Sequence, residues 1–154
     1  MKLTDRLTKD CIIVDSQGAS WRAVVGEMVD RLCAAHGLAE NARILEAVVE
    51  RESKMSTGIG CGLAVPHAKV DFLDEMLIAA CSVKRGIECD AIDKQPVYLM
   101  FLIISPAATV GPHIRALSAI SRLLSDADVR RTLIEAATPE EFYAGLLAGE
   151  AKYA

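Results

Sequence analysis

Apolar residues follow two different rhythms along this chain. Between residues 20 and 37 they fall at Trp21, Val24, Val25, Met28, Val29, Leu32 and Cys33, the i, i+3, i+4, i+7 stripe of an amphipathic helix. Ser20 precedes the stripe as an N-cap, and Gly37 follows it as a residue able to take a left-handed stop. His36, in the last turn, reads as a partner of the helix carboxyl end. A second helix is predicted over residues 39–51, with Ile44, Leu45, Val48 and Val49 inward, and it delivers Arg51 and Glu52 to its own end. Residues 3–7 suit a helical turn, and Cys11-Ile12-Ile13-Val14 is β-branched enough for a first strand. Residues 77–83 and 97–104 are continuous apolar runs, which predicts central strands of a sheet covered on both faces. Arg85-Gly86 and residues 90–96 supply turn chemistry between them.

The last third reads as helical. Gly111-Pro112-His113 opens a helix with Pro112 at the first helical position and Ile114, Leu117, Ile120, Leu123 and Leu124 as its apolar residues. Ser125-Asp126 and Thr138-Pro139 begin two more, with Val129, Leu133 and Ile134 and then Phe142, Leu146 and Leu147. Short strands interleaved with helices, followed by helices alone, predict an α/β fold. The expectation is a single domain over residues 1–154, with a mixed β-sheet flanked by helices on both faces.

At 154 residues the chain buries enough surface to need no staple. A net charge of −4, with Lys69, Lys84, Arg85, Arg130 and Arg131 scattered or paired, supplies no dense basic face, which argues against nucleic acid and anionic membranes as partners. The longest apolar run, residues 97–104, falls far short of the ~20 that span a bilayer. Charges interrupt the opening M-K-L-T-D-R-L-T-K-D, so no signal peptide is expected. The five cysteines are odd in number and lack C-x-x-C spacing, which fits free thiols in a reducing cytoplasm.

The candidate chemistry gathers between Arg51 and Lys69. Gly58, Gly60 and Gly62 alternate, and three glycines in five residues mark a tight loop whose N–H groups can converge on an anion. Leu63-Ala64-Val65 reads as a short buried strand, and Pro66 fixes φ where that strand would end. His67 is thus presented on a pinned backbone. Two readings of it stand: a histidine hydrogen-bonded at a strand end with no chemistry, or a nucleophile. Arg51 has two readings as well, as a partner of its helix end or as a guanidinium fork for phosphoryl oxygens. His113 falls in a first helical turn beside unsatisfied N–H groups, where anions are favoured. A neutral imidazole nitrogen can attack phosphorus, so two histidines, one arginine and a glycine loop suit phosphoryl acceptance. No G-K-[ST] phosphate loop or kinase framework is present to use a nucleotide directly. A metal site of Cys61, His67 and Asp71, completed by His113, matches no common zinc spacing, and neither it nor Cys61 as a nucleophile is favoured. Asp71, Asp74, Glu140 and Glu141 read as surface or helix-start charges. No metal or cofactor is expected.

The run R-E-S-K-M-S-T-G-I-G-C-G-L-A-V-P-H, then D-A-I-D-K-Q-P-V, then H-I-R-A-L-S-A-I-S-R-L-L, resembles the fructose/mannitol-type (type-2) enzyme IIA domain of the bacterial phosphoenolpyruvate-dependent phosphotransferase system, including its nitrogen-regulatory branch. The similarity covers nearly the whole chain, and S-T-G-I-G-x-G-[IL]-A-[IV]-P-H is a long, specific motif. The resemblance implies the mannitol-type enzyme IIA fold. It also implies that His67 is phosphorylated by an HPr-type phosphocarrier, at Nε2, and passes the group to a IIB domain for sugar uptake, with Arg51 and His113 flanking the phosphohistidine. Ser56, Thr57, Gly58, Ile59, Gly60 and Gly62 are expected as the phosphate-binding loop. The regulatory branch implies a binding module whose His67 phosphorylation state controls protein partners. Position 61 is Cys, where the family varies, and residues 107–110 lack the acidic residues many members carry there, which leaves partner preference open. Sugar specificity and oligomeric state are not given by the resemblance.

Overall fold

The computed structural model describes residues 1–89 and 91–153. Two 3₁₀ turns, Leu3–Asp5 and Lys9–Cys11, lead into β1 (Ile12–Ile13), and the helices α1 (Trp21–His36) and α2 (Asn41–Lys54) follow. The middle of the chain is strand: β2 (Gly58–Gly60), β3 (Leu63–Ala64), β4 (His67–Val70), β5 (Leu77–Ile87) and β6 (Val97–Pro106). Three helices close it: α3 (Gly111–Leu123), α4 (Ala127–Glu135) and α5 (Pro139–Lys152).

The helix signals act as their chemistry dictates. Ser20 accepts a hydrogen bond from the amide of Ala23 at 3.1 Å, and Gly37 takes φ 65° at the end of α1. Asp126 caps α4 and Thr138 caps α5 in the same manner. The predicted stripe of α1 is buried from Val24 to Cys33, with Trp21 packed at its margin.

The strands form one mixed six-stranded sheet in the order β1-β5-β6-β3-β2, with β4 also paired to β6. β5 and β6 are antiparallel and form its centre, while β1 runs parallel to β5, and β3 and β4 run parallel to β6. Every residue from Leu77 to Val83 and from Leu99 to Ser105 is buried, on both alternating sets of side chains, so helices cover both faces of the sheet as expected. α1 and α2 pack on each other and onto β5 and β4; α4 and α5 pack on each other and reach β5, β6 and β1. Phe101 of β6 meets Phe142 of α5, with ring centroids 6.4 Å apart.

The ends of two elements need correction. β5 does not end at Val83 but runs to Ile87, absorbing Arg85-Gly86 through a register irregularity with Gly86 at φ 79°. α2 continues past Arg51 to Lys54. β3 ends before Pro66, as expected, and the chain rejoins β6 at His67 as a separate strand. In α3 the buried residues are His113, Ala116, Ile120 and Leu123, whereas Ile114 is 58% exposed. Asp90, where the second expected turn begins, lies outside the described residues.

Candidate functional site

Three elements meet at one open cleft of about 490 Å³. α2 contributes Ala47, Glu50, Arg51 and Lys54, which share a helix face at spacings of three and four. β4 contributes His67, Ala68 and Lys69, of which the first and third project to the same side of the strand. His113 comes from the first turn of α3. Arg51, His67 and His113, far apart in sequence, are therefore brought together.

His67 is held by its own backbone neighbourhood. Its Nδ1 lies 2.8 Å from the carbonyl of Val65. A carbonyl only accepts, so Nδ1 carries a proton, and in the neutral ring Nε2 keeps the lone pair. The amide of Ile103 donates to the carbonyl of Pro66 at 3.0 Å, and His67 then pairs with Ile103 as β4 begins. Pro66 thus costs the ladder one donor while its carbonyl keeps the edge attached.

His113 is 8% exposed, its Nδ1 lies 2.8 Å from the hydroxyl of the fully buried Ser105. Burial, then the nearby His67, Lys69 and Arg51, depress its pKa to about 4, so the ring is neutral at pH 7. The two imidazoles meet edge to face, with centroids 5.1 Å apart and planes at 62°. Arg51 donates to the carbonyl of Met55 at 3.2 Å. Neither Lys54 nor Lys69 forms an ion pair among the described residues. With Glu50 the single acidic side chain among the residues lining it, the cleft is cationic and suited to an anion.

The glycine run builds a hairpin beside the cleft. β2 and β3 form a hairpin in which Gly60 and Gly62 take φ 96° and 75°. The Glu52 carboxylate accepts from the amide of Thr57 at 3.0 Å and from its hydroxyl at 2.6 Å. Ser56 donates its hydroxyl to the carbonyl of Cys89 at 2.6 Å and accepts from the amide of Gly58 at 3.1 Å. The amide of Cys61 donates to Asp93 at 3.1 Å. The N–H groups of Thr57, Gly58 and Cys61 are therefore engaged by the side chains of Glu52, Ser56 and Asp93, and Ser56, Thr57, Gly58, Ile59, Gly60 and Gly62 are not among the residues lining the cleft. The hairpin is a buttress: the amide of Val65 donates to the carbonyl of Thr57 at 3.0 Å, which fixes the backbone just before His67.

Sequence reading missed Glu50, Lys54, Lys69 and Ser105. Lys69 had a legible signal, two residues beyond His67 on an extended segment; Ser105 had none, since only the fold brings it to His113. The metal candidates stay apart: Asp71 pairs with Arg43 at 3.3 Å, and Cys61 is exposed on the hairpin. Among the described residues no group of three or more His, Cys, Asp or Glu could hold a metal ion, and no helix is long and apolar enough to cross a membrane.

A mixed-sheet α/β protein with an imidazole pair and a guanidinium in one cleft defines the class, and residues 5–148 match the family described as phosphoenolpyruvate-dependent sugar phosphotransferase system, EIIA 2. The chain belongs to that family. It is 38% identical over 136 residues to the fructose-specific EIIABC component of Bacillus subtilis, covering 88% of this chain but only 21% of that protein's length. It is 35% identical over 127 residues to the fructose-specific EIIA component of Haloferax volcanii, covering 82% of each. Its fold superimposes on the crystal structure of nitrogen regulatory protein IIA-Ntr from Neisseria meningitidis with a TM-score of 0.85 at 27% identity, covering 94% of this chain and 98% of that one.

Proposed function

We propose that this protein is a cytoplasmic phosphocarrier of the phosphotransferase system, taking a phosphoryl group onto His67 from an HPr-type carrier and passing it to a IIB domain for sugar uptake. The observation that carries this reading is the convergence of Arg51, His67 and His113 in one cationic cleft, with Nδ1 of His67 tied to Val65. In the transfer, the lone pair on Nε2 of His67 forms a bond to phosphorus as the bond from phosphorus to the donor's nitrogen breaks. The proton on Nδ1 stays in place, and the Val65 carbonyl stabilises the positive charge that the ring gains. Arg51 offers its fork to the equatorial oxygens, and neutral His113 donates one hydrogen bond to them. The hairpin over residues 56–62 contributes by holding Val65 and His67 in register.

The test is labelling with phosphoenolpyruvate, enzyme I and the HPr-type carrier. Wild type is expected to take up one phosphoryl group, and His67→Ala none; equal labelling of the two proteins sinks the assignment.

The likeness to a nitrogen regulatory protein supports a second reading, in which phosphorylation of His67 controls protein partners instead of feeding a transporter. A phosphohistidine adds about two negative charges at that surface, enough to change which partner docks. Transfer of label to a sugar-specific IIB domain favours transport. Partner capture altered by His67→Glu, without such transfer, favours regulation.

A further inference from the structure

Ser105 is fully buried on β6, and its hydroxyl lies 2.8 Å from Nδ1 of His113. No other hydrogen bond to that hydroxyl exists among the described residues. Only one of the two possible donor directions satisfies both groups. If Nδ1–H donated to the serine oxygen, the hydroxyl proton would be left without an acceptor in a place closed to water. If the hydroxyl donates, the lone pair of Nδ1 is used and the ring proton sits on Nε2, on the edge of the ring away from Ser105. A neutral ring is required, and the burial of His113 supplies that condition.

The consequence bears on the cleft. His67, bound through Nδ1–H to Val65, presents a bare Nε2. His113, bound through a bare Nδ1 to Ser105, presents Nε2–H. The two rings are opposite tautomers, one a nucleophile and the other a donor. With the opposite tautomer, His113 would turn a lone pair toward the oxygens of an incoming phosphoryl group.

We propose that Ser105 is a tautomer-setting positioning residue: its buried hydroxyl donates to Nδ1 of His113 and so keeps the ring's single proton on Nε2, facing the cleft. Its effect on phosphoryl transfer rests on the phosphocarrier reading above, whereas its effect on the ring proton does not.

The experiment is two-bond proton–nitrogen NMR at pH 7 on protein labelled with ¹⁵N-histidine, for wild type and Ser105→Ala, with phosphoryl uptake measured on the same samples. Wild type is expected to show His113 protonated at Nε2 alone. Ser105→Ala, which removes one oxygen and adds no bulk, is expected to shift His113 toward a mixture of tautomers while leaving the His67 signals in place. Phosphoryl uptake by Ser105→Ala should fall roughly three- to tenfold, the scale of one hydrogen bond. A wild-type His113 protonated at Nδ1, or a Ser105→Ala protein with an unchanged tautomer, overturns the proposal even if phosphotransfer is normal. A tautomer that follows Ser105 in a protein taking up no label upholds the proposal and removes the phosphocarrier reading instead.

Discussion

Arg51 is tied to Met55: the guanidinium donates to the carbonyl four residues on, 3.2 Å away, just beyond the end of the helix that carries it. One of its nitrogens is thereby anchored to backbone, while the side chain still lines the cleft with His67 and His113. A fork fixed in this way can offer its remaining N–H groups to phosphoryl oxygens at little cost in side-chain entropy.

Arg51→Lys keeps the charge and removes the fork. It is expected to lower phosphoryl uptake, as kcat/KM, by roughly 10- to 100-fold with the fold intact. Rapid-quench transfer from labelled HPr-type carrier checks this, and a lysine variant within twofold of wild type shows that the fork is dispensable.

The depressed pKa of His113 gives stability a pH dependence with a defined sign. Between pH 6.5 and about 4 the unfolded chain takes up a proton at this ring that the folded protein refuses, so acid over that window favours unfolding. Above pH 6.5 the ring is neutral in both states and adds no slope. Urea midpoints of wild type are therefore expected to fall relative to those of His113→Asn as pH drops from 6.5 to 4. Parallel curves for the two proteins would contradict the depressed value.

Glu52 accepts both the amide and the hydroxyl of Thr57. Glu52→Gln leaves one oxygen for two donors and sets an NH₂ group against them. The expected loss is about 1–2 kcal/mol, a Tm lower by roughly 3–6 °C. Because the buttress lies directly ahead of His67, phosphoryl uptake should fall as well. Calorimetry and labelling of the same variant give the two readouts.

Two glycines at similar φ separate conformational strain from crowding. At Gly37, with φ 65°, an added Cβ meets nothing within 4 Å, whereas at Gly62, with φ 75°, it lies 3.0 Å from the ring of Tyr98. Gly37→Ala is expected to cost about 1 kcal/mol, the left-handed penalty alone. Gly62→Ala should cost roughly 1–2 kcal/mol more, since the Tyr98 ring must move. Equal denaturant midpoints for the two variants show that the ring contact carries no energy.

How much could be read in advance differs from element to element for physical reasons. α1 was legible because its stripe, its cap and its glycine stop agree, and each acts locally. Arg51, His67 and His113 were each singled out as residues, and the structure places them in one cleft. The glycines were read by their conformational freedom, but their use here is to turn a hairpin and to admit close neighbours: a Cβ on Gly58 would lie 2.7 Å from that of Ala91. The end of β5 was misplaced because Arg85-Gly86 is good turn chemistry, and only pairing across to Val97 overrides it. In α3 the apolar pattern locates Ile120, Leu123 and Leu124 in the core, but it gives no sign that Ile114 is exposed while the fold buries His113 against Ser105. Side chains that act through long-range contacts leave no local mark.

His67 begins a strand that is laddered directly onto β6, the innermost strand of the sheet, through rungs at Ile103, Ile104, Ser105 and Pro106. The imidazole is thus mounted on a strand hydrogen-bonded to the middle of the sheet and not on a loop. Adding or removing a charged group at such a point is expected to alter the local potential more than the path of the laddered backbone. On the phosphocarrier reading, a partner that tells the two forms of His67 apart is expected to do so by sensing charge.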